Sequence, residues 1–387
     1  MQSLHSQVLK YLESLKKDSN FRTLPPPNPQ DSTLLNLASN DYLGLTYNKD
    51  FNARFLDSTL FKEHCHFSAS SSRLLSGNFE IYNLLEAHLK TLFHKEVLLF
   101  NSGYHANVGI LNALNALNVL FIADKSIHAS HIDGLKDFKK PNFKRFLHND
   151  INSLQTLLAK YTSHYDAILI LSEGLFSMEG DFAPLKKLVE LKQQFKNVYL
   201  YIDEAHSIGS FGEDGLGLCK HLDLLEQIDF LILTFGKALS SMGACVLCGE
   251  TFKDYFINTA RSLIYSTALP PVNVARTLFA FLELPKLQAQ REHLAHLSAH
   301  FKACLQQRLD DEILGDYNII SLVLKDNAKA LYFSKMLATQ GYFAPAIKTP
   351  SVPKNRALLR FSLNANLKLN TLENLVTILQ KIANATL

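Results

Sequence analysis

The chain has 387 residues, 47% of them hydrophobic, which is enough to bury a sizeable core and to form more than one domain. Its 39 basic and 36 acidic residues leave a formal charge of +3, which gives none of the electrostatic footprint of a nucleic-acid or membrane-surface protein. No run approaches the ~18 consecutive apolar residues of a membrane span, so small molecules and protein remain as partners and the cytoplasm as the expected compartment.

The N-terminal MQSLHSQVLKYLESLKK carries apolar residues at Leu4, Val8, Tyr11, Leu12 and Leu15, the spacing of an amphipathic helix and not the continuous apolar core of a signal peptide. LPPPNPQDS at 24–32 cannot be helical and is expected to run extended, so 1–37 reads as a helix and arm. LNLASNDYLGL then opens a large domain over 38–272. Apolar strand candidates follow at 97–100, 119–123, 167–171, 198–202, 228–233 and 244–248, with amphipathic stretches such as Ile151 to Ala159 and Pro184 to Gln194 between most of them. Such alternation predicts an α/β fold with a mostly parallel sheet. From about Pro270 the pattern turns to long helices, Asn273 to Leu284 and then a charged stretch at Gln288 to His300. Strand, helix, strand and helix candidates follow at Ile319 to Leu324, Ala328 to Gln340, Leu358 to Leu363 and Thr371 to Ile382. These define a smaller α+β domain over 273–387.

Five cysteines, an odd number without a disulfide pattern, are expected to be reduced. Cys245 and Cys248 form a C-x-x-C inside an apolar run, and His64, Cys65 and His66 cluster, but neither group completes a ligand set, and no metal is assigned. FGEDGLG at 211–217 follows a strand but opens no evident helix, so it is a weak dinucleotide fingerprint.

The chemistry gathers where strands end. Lys237, in TFGKAL, follows an apolar run and is flanked by Gly236, Thr234, Ser240 and Ser241, a setting in which desolvation lowers an amine's pKa and suits it to Schiff-base chemistry. Taken alone, a loop lysine is more often simply solvated. In YLYIDEAHSIGSFG, Asp203, Glu204 and His206 emerge at the carboxyl end of a buried strand, the edge at which open α/β sheets bind ligands. A carboxylate there can keep a pyridine nitrogen protonated, as pyridoxal phosphate (PLP) requires, and Asp203 has the position for it. Alternation turns Glu204 to the other face, and His206, otherwise a turn histidine, is placed to reach the cofactor's phenolic oxygen. NSGYHAN offers a phosphate cradle, because Ser102 and Gly103 precede a helical pattern whose first N–H groups can face an anion; the plain alternative is a capped helix. His128 of SIHAS follows a strand by a few residues, and His131 reads as structural or exposed.

Six stations occur in order: NSGYHAN, ADKSIHAS, SEGLFSMEGD, DEAH, TFGK and IYSTALPP. The series resembles the α-oxoamine synthases, PLP-dependent transferases of the aspartate-aminotransferase-like fold type I, from Asn36 to the C-terminus. The resemblance implies that Lys237 holds PLP and then acts as the base. It puts the backbone of Gly103 and Tyr104 and the Thr234 hydroxyl on the phosphate, with Thr267 reaching across from a second subunit, so an obligatory homodimer is implied. His128 matches the stacking histidine, Ser177 the residue bonded to the ring oxygen, Arg360 the carboxylate-binding arginine and Asn40 its polar helper. Arg22 is a further candidate for the acyl substrate. IYSTALPP and AIKTPSVP look most like the biotin-pathway branch, which condenses L-alanine with a pimeloyl thioester, carried on coenzyme A or acyl carrier protein. The glycine-using branches, glycine C-acetyltransferase and 5-aminolevulinate synthase, share nearly all these residues, and an inactive partner subunit of the same fold is the non-enzymatic alternative. Two departures stand out: ALSSMGAC has less glycine after the lysine than the family usually carries, and Lys348 stands where arginine is common.

Overall fold

Seven strands, all but one of them predominantly apolar, form the central sheet. They are β1 (Glu96–Phe100), β2 (Val119–Asp124), β3 (Phe143–Phe146), β4 (Ala167–Glu173), β5 (Val198–Asp203), β6 (Phe230–Thr234) and β7 (Ala244–Cys248). This computed structural model describes residues 3–24, 34–136 and 142–385; apart from Leu24, the connector expected at 24–32 lies outside them. The order across the sheet is β1-β7-β6-β5-β4-β2-β3. All pairings are parallel except those of β7, which runs antiparallel to both β1 and β6. Strands β2, β6 and β7 are buried along their whole length, the condition for reading as continuous apolar runs.

One core cluster packs Phe100, Phe121, Leu171, Tyr201, Ile232 and Val246 with Ile110 and Leu111 of the helix Gly103–Leu114. Each such side chain contributes roughly 1.5–3 kcal/mol by leaving water. The helices start where their caps dictate. Ser102 Oγ accepts from His105 N to begin Gly103–Leu114, and Asp150 Oδ1 accepts from Ser153 N to begin Ile151–Tyr161.

Strand β3 was absent from the sequence expectations. Its residues Phe143, Lys144, Arg145 and Phe146 alternate poorly, and Lys144 and Arg145 are exposed because β3 is an edge strand. The C-x-x-C lies in β7, where both thiols are buried: burial pushes the Cys248 pKa up to about 12 and that of Cys245 well above its ordinary value.

The chain divides into two compact units, Asp41–Ser177 with Phe182–His293, and Met1–Asn40 with Met178–Asp181 and Leu294–Leu387. The first holds the seven-stranded sheet. The second holds a four-stranded sheet of order β10-β11-β9-β8, built from β8 (Glu312–Leu314), β9 (Ile319–Lys325), β10 (Ala346–Ile347) and β11 (Ala357–Ser362), all antiparallel. The helices Asn327–Thr339 and Leu369–Asn384 belong to this second unit, close to the spans expected from periodicity. The N-terminal helix forms over Leu4–Lys17 and buries none of its side chains.

Candidate active site

Parallel pairing brings the ends of β4, β5 and β6 to one edge, and within the larger unit that edge carries the lysine, the carboxylate and the histidines. Lys237 sits in the nine-residue connection between β6 and β7. The connection is closed by Phe235 N to Gly243 O and Ser241 N to Phe235 O, each 2.9 Å. Lys237 Nζ lies 2.9 Å from His206 Nε2, and His206 Nδ1 lies 2.6 Å from the Tyr42 hydroxyl. A neutral imidazole has one N–H, so the protonation of Lys237 and the tautomer of His206 are tied: an ammonium that donates to Nε2 leaves Nδ1–H to donate to Tyr42. Both Tyr42 and His206 are buried.

Asp203 ends β5, and its Oδ1 accepts from Ala205 N at 2.9 Å. Its Oδ2 accepts from Asn107 Nδ2 at 2.9 Å. Asn107 is a hub. Its amide also donates to Ser130 Oγ at 2.9 Å, and its carbonyl accepts the Tyr201 hydroxyl at 2.6 Å. Ser130 Oγ in turn lies 2.8 Å from His128 Nδ1, and Ser130 N also donates to that nitrogen at 3.3 Å. Having accepted there, the His128 ring carries its proton on Nε2. One face of His128 is exposed, yet the protein around the rest desolvates it and lowers its pKa below the ordinary value, against the pull of Asp203. Its backbone N–H donates to Glu173 Oε1 at 2.7 Å, which fixes the SIHAS turn to the end of β4.

Glu204 points away from Asp203. It is wholly buried and accepts from the backbone N–H groups of Leu218 and Cys219, each at 2.6 Å, and from the Ser207 hydroxyl. Burial raises its pKa against these bonds. The FGEDGLG stretch is thereby explained: Gly217, at φ +89°, has its Cβ position filled by the Glu204 carboxylate, and the loop leads only into the four-residue helix Leu218–His221. Gly217 serves a buried carboxylate.

At the start of the helix Gly103–Leu114, a Cβ on Gly103 would lie 2.6 Å from Thr234 Cγ2. The absent side chain leaves room where the first-turn N–H groups and the end of β6 meet. Thr234 Oγ1 lies 3.4 Å from the Ala205 carbonyl, and the Tyr104 hydroxyl donates to Asp133 Oδ2 at 2.6 Å. Ser177 is buried in the turn after β4, and Thr267 is exposed in the IYSTALPP loop, its carbonyl accepting from Asn101 Nδ2 at 2.7 Å.

The remaining candidates lie in the smaller unit. Arg360 of β11 is buried, and its guanidinium reaches Ser362 Oγ at 2.6 Å and Asn40 Oδ1 at 3.2 Å, so the arginine and its expected helper meet. Arg22 Nη2 contacts Ser351 Oγ at 3.3 Å, and Lys348 donates to the Ser19 carbonyl. Burial, with the Arg22 charge beside it, lowers the Lys348 pKa.

Sequence reasoning missed Tyr42 and Asn107, which join the site across 164 and 96 residues of chain. Their only signals were a tyrosine in DYLGL and a polar residue one helical turn beyond Gly103. His131, expected to be structural or exposed, is completely buried.

A lysine amine, a strand-end carboxylate, an exposed imidazole beside them and a helix N-terminus together define a PLP-dependent transferase of fold type I. The chain belongs to the aminotransferase class I and II family, whose model matches residues 32–379. An 8-amino-7-oxononanoate synthase from Haemophilus ducreyi is 46% identical over 356 residues, 90% of this chain and 92% of that one, which places the chain in that branch of the family. A solved 8-amino-7-oxononanoate synthase from Francisella tularensis superposes with a TM-score of 0.77 at 25% identity, covering 92% of this chain and 99% of its own. A serine palmitoyltransferase from S. paucimobilis with bound PLP-myriocin aldimine gives a TM-score of 0.88 at 24% identity and 99% coverage of both chains, a likeness of fold. The residues present fit PLP: Lys237 for its carbonyl, Asp203 for its ring nitrogen, and the space left by Gly103 for its phosphate.

Proposed function

We propose that this protein condenses L-alanine with a pimeloyl thioester to give 8-amino-7-oxononanoate, carbon dioxide and the free thiol, a step of biotin biosynthesis. The observation that carries the chemistry is the Lys237–His206–Tyr42 chain, set at the same sheet edge as Asp203 and His128. The substrates follow the relatives.

When bound, the cofactor supplies a cationic ring that delocalises charge developed at the amino acid's α-carbon. Lys237 Nζ would hold the cofactor by its carbonyl and, when free, would take the proton from that carbon, with His206 and Tyr42 setting its protonation. Asp203 would keep the proton on the ring nitrogen, and Asn107 and Ala205 N hold its carboxylate aimed. His128 would stack on the ring, and its Nε2–H would be available to polarise the thioester oxygen. The N–H groups of Gly103 and Tyr104, the Thr234 hydroxyl and Thr267 of a second copy bind the phosphate. Ser177 and His206 serve the ring oxygen. Arg360, oriented by Asn40 and Ser362, binds the alanine carboxylate as a two-pronged donor. Arg22 and Lys348 serve the acyl donor, on coenzyme A or acyl carrier protein. The working form is a cytoplasmic homodimer. Among the described residues no helix is long and apolar enough to cross a membrane.

The test mixes PLP-loaded protein with L-alanine or glycine and a pimeloyl thioester, and follows product mass and carbon dioxide. Product from alanine in preference to glycine is expected. Preference for glycine would move the protein to a glycine-using branch, and no lysine-bound cofactor absorbance at all would revive an inactive partner subunit.

A further inference from the structure

His131 takes no part in the roles above, although it is completely buried beside the carboxylate on which they depend. Its Nδ1 lies 3.2 Å from the His128 carbonyl, and its ring meets Tyr201 edge-on, at 5.7 Å between centroids and 84° between planes. Its Nε2 has no hydrogen-bond partner and faces Asp203 Oδ2 at 3.6 Å. A carbonyl has no proton to give, so Nδ1 is the donor and the neutral ring keeps a lone pair on Nε2. That lone pair points at an anionic oxygen. Two acceptors facing each other away from water are unfavourable, and a proton between them relieves it.

We propose that His131 is a positioning residue that acts through Asp203: Nε2 and the carboxylate form one proton-sharing unit, and its proton is given up when a protonated ring nitrogen takes the other side of Asp203. The inference rests on the reading of Asp203 as the partner of the PLP ring. Burial drives the His131 pKa down to about 4, and the Asp203 charge beside Nε2 pulls against that fall. The titratable groups that face the ring are Asp203 and Tyr201 from β5 and His128 from its own turn; Lys237 and Asp133 bear on His128. Asn107, from the helix Gly103–Leu114, bonds the same Oδ2 and does not titrate.

The experiment measures PLP binding to the full chain by calorimetry in two buffers of different ionisation heat, from pH 5 to 8, which yields affinity and protons released. His131→Leu, whose shape fills the site, is expected to bind PLP on the order of tenfold more weakly. It should also lose the pH-dependent proton release that wild type shows. His131→Gln, which can donate to Oδ2 but cannot titrate, should recover affinity without recovering the release. If both variants match wild type in affinity and proton count and only the melting temperature of the cofactor-free protein moves, His131 is packing and the proposal falls. Asp203→Asn separates the two levels: if it binds and absorbs as wild type, the reading of Asp203 itself fails, whereas a defective Asp203→Asn beside a normal His131→Leu sinks only the present inference.

Discussion

Replacing Asn107 by aspartate tests the hub without changing its shape. Oδ1 still accepts the Tyr201 hydroxyl, but the amide that donates to Asp203 Oδ2 at 2.9 Å becomes a second carboxylate oxygen. Two charges about 3 Å apart repel by roughly 5 kcal/mol at an effective dielectric of ~20. The pair relieves this by binding a proton, so one carboxyl titrates with a raised pKa. The sign follows: a carboxyl whose folded pKa is raised costs stability above that pKa, and the cost vanishes as pH falls below its unfolded value of ~3.9. Urea unfolding of the cofactor-free protein at pH 8 should therefore show Asn107→Asp well below wild type, with the gap narrowing toward pH 5. PLP affinity should drop at pH 8, because a shared proton on Asp203 competes with the ring N–H. Asn107→Leu controls for shape: it leaves the Tyr201 hydroxyl unpaired at about 1–3 kcal/mol, with little pH dependence. A variant Asn107→Asp with a wild-type urea midpoint and wild-type PLP affinity at pH 8 would refute the network.

Gly103→Ala places a methyl group 2.6 Å from Thr234 Cγ2 at the opening of the helix, and titration of PLP fluorescence should show affinity lost by tenfold or more; unchanged affinity would move the phosphate elsewhere. Ser240 holds φ +49°, a left-handed conformation that costs a side chain roughly 1 kcal/mol, so Ser240→Gly should leave the melting temperature unchanged or raise it. A clear fall would mean that the Ser240 hydroxyl, 3.0 Å from Thr46 Oγ1, matters more than the backbone. Arg360→Lys keeps the charge and removes the fork that reaches Ser362 and Asn40, so the KM for alanine should rise about tenfold or more while cofactor binding stays intact. If KM does not move, the carboxylate binds elsewhere.

The sheet was legible because strands buried on both faces spell themselves out as Leu, Ile, Val and Phe. Phe143 to Phe146 escaped because an edge strand need not be apolar. The end residues of β5 were legible in part through alternation alone, which separates Asp203 from Glu204 by one peptide and sends them to opposite sides. What stayed hidden were partners that only folding brings near. Asn107 and Tyr42 look like ordinary members of a helix and a loop, and nothing local marks them as hydrogen-bonded to residues about a hundred or more positions away. Likewise, Gly217 of FGEDGLG is glycine for a reason invisible in one dimension: Glu204 occupies the space beside it.

The antiparallel course of β7 has a consequence for how the lysine moves. In most crossovers of such a sheet the catalytic loop runs into a helix, and its excursions follow the breathing of that outer layer. Here Thr234 pairs with Ala244 and Leu233 with Cys245, so the loop that carries Lys237 is clamped between neighbouring strands in the interior of the sheet. Amide hydrogens at Phe235 and Ser241, both tied across that loop, should exchange only as slowly as the sheet itself opens, and far more slowly than those of the exposed helix Leu4–Lys17. Lys237 then belongs to the last part of the molecule to come undone.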